Sequence, residues 1–246
     1  MTEQQLTVAA IRFTDRAAAV QEFLETLGLS TAVEGRDNGW VDLRAGAGRV
    51  WLHDAASSDT GGVPGQTRLT FEVPDVERTT AHLVGAGYQA SWVDESYGRS
   101  MTVTDPLGDE LLLNEHSEDT YGFTASSPRP DERLTVTPVR FTEPRGTYGR
   151  FLRDLGLRER GEADEWWAAF DSGDGVVGLH HDDGSAPIVP GPGACHLTFG
   201  TVEDLDALAA RLVAAGYADA HVERDEYVSL VAVTDPDGQP VQVHAR

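Results

Sequence analysis

The chain is written twice. Residues 11–29 read IRFTDRAAAVQEFLETLGL, and residues 139–157 read VRFTEPRGTYGRFLRDLGL. The correspondence resumes in the triplets Leu69–Phe71 and Leu197–Phe199, then in the pairs Gly87-Tyr88 and Gly216-Tyr217. It closes in Thr104-Asp105-Pro106-x-Gly108 and Thr234-Asp235-Pro236-x-Gly238. The order is kept throughout, which marks duplication of a whole domain. Whatever one copy folds into, the other must follow. A ligand site is therefore to be sought in pairs, and differences between equivalent positions become informative.

A length of 246 residues accommodates two domains, each long enough to bury its own core. Acidic residues outnumber basic ones 41 to 19, for a formal charge of −22. Such a surface cannot neutralise a phosphate backbone, so neither nucleic acid nor an anionic membrane is an expected partner. No lysine occurs, which excludes Schiff-base chemistry and P-loop lysines. The one cysteine, Cys195, leaves no intrachain disulfide. The start MTEQQLTVAA lacks a basic stretch followed by an apolar one, and no apolar run approaches about 18 residues. The expected location is cytoplasmic.

Local patterns give the elements. Thr7–Thr14 alternates as a strand. Asp15 is expected to cap a helix whose stripe is Val20, Phe23, Leu24 and Leu27, stopped by Gly28. Strands follow at Trp40–Arg44, Arg49–His53 and Thr67–Val73, with a Gly/Ser/Pro loop at Ser57–Gly65. A second helix runs from Asp75 to about Ala86. Strands at Gln89–Val93, Ser100–Thr104 and Glu110–Asn114 close the copy, the last two joined by a Pro/Gly turn. The second copy repeats the plan, with helices at Thr147–Leu155 and Val202–Ala215. The polar stretch Ser117–Arg133 reads as a linker. The domains are thus 1–116 and 134–246, joined by 117–133.

A strand ending R-F-T-D, a helix ending L-G-L, a mid-domain L-T-F strand and a T-D-P-x-G hairpin resemble the vicinal oxygen chelate superfamily. That group includes glyoxalases, bleomycin-resistance proteins and extradiol dioxygenases. The resemblance implies an α+β fold of tandem duplicated domains. Each would hold two βαβββ modules forming curved mixed sheets around a cleft. It also implies a metal held by side chains on the first, mid-domain and last strands. Those positions are Val8, Arg68 and Leu112 in one copy, and Val136, His196 and Gln242 in the other. Valine and leucine offer no donor and arginine does not deprotonate, so no metal and no other cofactor is expected.

Strand alternation nominates what lines the clefts. With Ile11 and Phe13 in the core, Arg12 points inward, and Arg140 likewise. Trp40, Trp51, His53 and Arg68 join one set, and Trp167, His180, His196, Gln242 and His244 the other. A one-residue slip in a short strand would reverse these assignments. Tryptophan offers a flat stacking face. The repeated arginines either grip a ligand carboxylate or pair with buried Asp or Glu. His53 and His180 are either ligand contacts or hydrogen-bonded framework. Adjacent Cys195 and His196 point to opposite faces, so they do not form a catalytic pair. His180-His181-Asp182-Asp183 reads as surface. The Ser57–Gly65 and Asp182–Gly193 loops are candidate lids.

Two arrangements remain open. In one, the tandem acts as a monomeric pseudo-dimer, each cleft taking modules from both copies; in the other, each domain closes its own cleft. A homodimer is the remaining assembly. The expected function is a metal-free small-molecule binder, resembling antibiotic-sequestering bleomycin-resistance proteins, with a small aromatic or natural-product ligand. The alternative is a metal-dependent glyoxalase- or dioxygenase-type enzyme with a site rebuilt around His196.

Overall fold

The computed structural model describes residues 6–35, 39–96, 98–117, 119–120 and 122–246. The first half opens with β1 (Thr7–Thr14), α1 (Ala17–Leu27), β2 (Ser30–Glu34), β3 (Trp40–Arg44) and β4 (Arg49–Asp54). It repeats the plan with β5 (Thr67–Val73), α2 (Val76–Gly85), β6 (Ala90–Glu95), β7 (Gly98–Thr104) and β8 (Glu110–Glu115). A short β9 (Thr124–Ala125) pairs with β2, so part of the polar 117–133 stretch is bound to the first sheet. The second half has β10 (Leu134–Val136), β11 (Val139–Phe141), α3 (Thr147–Asp154), β12 (Arg158–Arg160), β13 (Trp167–Asp171) and β14 (Val176–His180). It ends with β15 (Thr198–Thr201), α4 (Leu205–Ala214), β16 (His221–Arg224), β17 (Ser229–Thr234) and β18 (Pro240–Ala245).

The first half is one mixed sheet in the order β6-β7-β8-β5-β1-β4-β3-β2-β9. Two βαβββ modules meet where β1 lies antiparallel to β5, with Ile11 opposite Arg68. The second half repeats this order in two pieces, β10-β15-β18-β17-β16 and β11-β14-β13-β12. The break follows from Pro138, which has no N–H to give to a ladder. A bridge between Val139 and His196 carries the same register across it. The halves are therefore two copies of one α+β plan.

Each helix is held by its apolar stripe. In α1, Val20, Phe23, Leu24 and Leu27 are buried, and Gly28 ends the helix at φ 118°, a left-handed conformation that glycine adopts without strain. Asp15 is not the cap. Arg16 occupies the cap position, with its backbone N–H donating to Thr14 Oγ1. Asp75 and Asp204 do cap α2 and α4 through side-chain bonds to Arg78 and Ala207.

The cores cross between the halves. One cluster joins Phe23 and Leu24 of α1 to Leu208 and Leu212 of α4 and to Phe199 of β15. The other joins Leu83 of α2 and Phe71 of β5 to Tyr148, Phe151 and Leu152 of α3. The helix-covered sides of the two halves thus pack on each other, leaving one open face on each sheet. Among the described residues no helix is long and apolar enough to cross a membrane.

Candidate functional site

Register decides which side chains share the open faces. Side chains opposite each other on neighbouring strands point the same way. Val50 and Leu52 lie in the helix-side core, so Trp51 and His53 lie on the open face. Trp51 is opposite Ile11 and Asp42, and His53 is opposite Phe13 and Trp40. Arg68, Thr70 and Glu72 follow on β5, opposite Ile11, Ala9 and Thr7. In the second half the same argument gathers Phe141, Gly178, His180, Trp167 and Ala169. His196 joins through its bridge to Val139, and Thr198, Gly200, Gln242 and His244 through the β15–β18 ladder.

Each face is built within one half. The pseudo-dimer grouping, with His196, Gln242 and His244 beside Trp40 and Trp51, does not occur. What crosses between halves is the helix-side core.

The inward placement of Arg12 and Arg140 is reversed. Ala10, not Ile11, packs in the helix-side core, and Arg12 shares the side of Ala10. The run Val8-Ala9-Ala10-Ile11 is apolar on both sides, so hydrophobicity alone does not fix its parity. Both arginines are buried and clamp the opposite half. Arg12 pairs with Asp235 and Asp237 and donates to the Gly65 carbonyl at 2.8 Å. Arg140 pairs with Asp105 and Asp109 at 2.9 and 2.8 Å and donates to the Ala194 carbonyl. Asp105 Oδ1 accepts from the N–H groups of Leu107 and Asp109, and Asp235 Oδ1 from those of Asp237 and Gln239. The repeated T-D-P-x-G turn is thus both a self-capped turn and the anion for the other copy's arginine.

The open face of the first half is filled. Trp51 is buried and donates from Nε1 to Asp42 at 3.0 Å. Arg49 reaches Asp42 at 3.3 Å and Glu72 at 3.1 Å, and His116 stands 3.2 Å from Glu72. Burial pushes the Asp42 carboxyl up, against the pull of Arg49. Trp40 lies 5.8 Å from the ring of Phe123. His53 lies 5.6 Å from Phe13, and the Arg68 guanidinium sits 4.8 Å over the same ring. Gly62 of the 57–65 loop presses on Phe13 so closely that a Cβ would come within 2.2 Å. That loop seals one end of the face.

The second half is the emptied version of this surface. Where the first half has Asp42, Arg49, Trp51 and Glu72, the equivalent positions are Ala169, Val176, Gly178 and Gly200. Trp167, 39% exposed, lies across Gly178 so closely that a Cβ there would come within 2.3 Å of the indole. His180 is 6.4 Å from this indole and 5.6 Å from Phe141. Arg246 covers Gly200 in the same manner. The 182–193 loop borders this face, with Pro187, Ile188 and Val189 beside His196. It docks on the first half, where the Pro190 carbonyl accepts from Gln66 and the Gly193 carbonyl from the Leu69 N–H.

Two histidines of this face, His196 and His244, are kept neutral. Burial lowers the His196 pKa to about 4, and burial lowers that of His244. His196 Nε2 lies 3.0 Å from the Pro240 carbonyl, which needs the proton on that nitrogen and leaves Nδ1 as an acceptor. Gln242 lies between the two histidines along β18. Cys195 is buried in the helix-side core, its thiol pushed up to about 12 by burial, and takes no part. Trp166 and His181 are at the surface in edge contact, and Trp92 lies exposed on β6.

The residues do not fit a metal. Val8 and Val136 lie in the helix-side cores, Arg68 is committed to Gln66 and Thr60, and Leu112 has no donor. His196 and His244 are four ladder positions apart, roughly 13 Å along the backbone. Among the described residues no group of three or more His, Cys, Asp or Glu side chains could hold an ion. Sequence reasoning found the tryptophans and histidines of the second face. It passed over the small residues Val176 and Gly200, which a position-by-position comparison of the two copies exposes.

Residues 149–243 match the sequence model of the Glyoxalase/Bleomycin resistance protein/Dioxygenase superfamily. No curated protein matches the chain. Among solved structures, it is similar to a variant of homoprotocatechuate 2,3-dioxygenase from B. fuscum with bound HPCA. The TM-score is 0.61 and the identity 19%, over 99% of this chain and 71% of that one. It is similar to the Brevibacterium fuscum enzyme in complex with 3,4-dihydroxyphenylacetate (TM-score 0.58, identity 19%, covering 98% and 80%). It is also similar to the Arthrobacter globiformis enzyme (TM-score 0.58, identity 19%, covering 99% and 79%).

Proposed function

We propose, for a chain of the glyoxalase, bleomycin resistance and dioxygenase superfamily with the vicinal oxygen chelate fold in both halves, that it binds a small planar molecule without a protein-held metal. The binding surface is the open face of the second half. The observation that carries this is the exchange of Asp42, Arg49, Trp51 and Glu72 for Ala169, Val176, Gly178 and Gly200. The exchange removes four large side chains from a face and leaves a half-exposed indole over glycine. Trp167 and Phe141 supply stacking area, and Gln242 and the neutral histidines supply directional hydrogen bonds. The first face, filled by its own Trp51–Asp42–Arg49–Glu72 network, acts as scaffold.

Likeness to extradiol dioxygenases favours a second reading, a metal-dependent dioxygenase-type enzyme rebuilt around His196. The donor set argues against it, since a stable site of that kind needs three or more protein ligands.

One experiment separates the two. Chelator-treated protein is titrated with 3,4-dihydroxyphenylacetate and a panel of uncharged aromatic compounds, following tryptophan fluorescence. Binding predicts saturable quenching by at least one compound, weakened roughly ten-fold in Trp167→Ala, whose fold is retained. The same protein supplied with ferrous iron is expected to hold well under one metal per chain and to open no catechol ring. Stoichiometric iron together with ring cleavage would establish the enzyme instead.

A further inference from the structure

A second site lies away from this face, on the seam between the halves. A depression of about 300 Å³ is lined by Arg44, Ala45, Gly46, Gly48, Arg49, Pro128, Pro130 and Asp174. The β3–β4 turn forms its floor, the 128–130 stretch one wall, and Asp174 of the second half another. Its size is at the lower end of small-molecule sites.

The hydrogen-bond partners around it define what it lacks. Asp174 accepts from the Gly48 N–H and from Thr7 Oγ1, each at 2.7 Å. Asp42 accepts from Trp51 and Arg49. Glu72 takes Arg49 and faces His116. All three carboxylates are thus held by donors. Arg44 is different. Its nearest carboxylate, Asp42, is 3.9 Å from Nε, beyond hydrogen-bond reach. That Nε is shielded from solvent and has no acceptor. The rest of the Arg44 side chain is 41% exposed where it lines the depression, and a guanidinium there is a donor fork for an oxyanion. Prolines and glycines beside it supply rigid walls without competing polar side chains.

We propose that this seam depression binds a small oxyanion, a carboxylate or phosphate group, through Arg44. Bound there, the ligand touches the β3–β4 turn, the interdomain stretch and the Asp174 turn together, and so couples occupancy to the packing of the two halves.

The test is calorimetric titration of the full chain at low salt with inorganic phosphate and, separately, with succinate. Saturable binding of at least one is expected, and Arg44→Gln should weaken it by roughly ten-fold or more. Binding of phosphate alone points to a phosphorylated ligand, and of succinate alone to a carboxylate. Arg78→Gln removes an equal charge from an exposed site on α2 and is expected to change nothing. Far-UV circular dichroism checks that the Arg44 variant keeps its fold. No saturable binding of either anion, or equal loss in both variants, would overturn the proposal.

Discussion

Replacing Arg12 by methionine is expected to destabilise the folded chain by about 3–5 kcal/mol, because it leaves buried carboxylates without their cation. The Asp235 side chain is 1% exposed and that of Asp237 3%. Neither can recover water without opening the contact between the halves. Arg140→Met is expected to act similarly through Asp105, whose side chain is fully buried. Exposed ion pairs such as Arg224–Asp206 set the scale for comparison, since breaking one changes stability by about 0–1 kcal/mol. Guanidinium denaturation of Arg12→Met, Arg140→Met and, for the exposed pair, Arg224→Met measures this. Losses near that of the exposed pair would mean that the arginine clamps do not hold the halves together.

The second large effect is a loss of stability in acid traced to His196. Its folded pKa is about 4 against 6.5 for the free side chain, because burial disfavours the charged ring. A depressed histidine pKa means that the unfolded chain takes the proton first. Stability is therefore unaffected well above 6.5, falls as pH drops from 6.5 toward 4, and levels below that. Over that window the loss amounts to about 3 kcal/mol. His196→Gln places an amide N–H where Nε2 meets the Pro240 carbonyl and cannot titrate. The stability difference between wild type and variant, measured from pH 7.5 to 4, should shrink by that amount. A constant difference would contradict the neutral, buried state assigned to His196.

Much of the fold was legible in the chain because duplication writes it twice. The stripe Val20, Phe23, Leu24, Leu27 and the turn Thr104–Gly108 were each supported by an equivalent in the other copy. The short strand Ser30–Glu34 was missed because its one buried side chain, Ala32, leaves little alternation to read. The parity of β1 was misread because Val8-Ala9-Ala10-Ile11 offers apolar side chains to both faces. Only the pairing of Ile11 with Trp51 and Arg68, which is long-range, decides it. That misreading moved Arg12 and Arg140 from the domain contact into the cleft. One of the two roles open to them, pairing with buried acids, is the one the fold uses. Of the two cleft arrangements left open, the fold uses the one within each half, and the choice is non-local: the sequence shows four modules but not which edges meet. The tryptophans and histidines on the second face were visible as residue types. Gly200 and Val176 were not, because a small side chain gives no signal until its counterpart is compared.

If the second face is the ligand surface and the first is filled scaffold, their tryptophans must respond differently to a ligand. The most direct measurement is fluorine NMR of protein labelled with 5-fluorotryptophan, titrated with the aromatic compound that quenches fluorescence best. The chain has five tryptophans, so five resonances report separately on the two faces and on the surface. The Trp167 resonance is expected to move saturably, while those of Trp40 and Trp51 stay in place. Movement of Trp51 with Trp167 unchanged, or no saturable movement of any resonance, would contradict that assignment of the two faces.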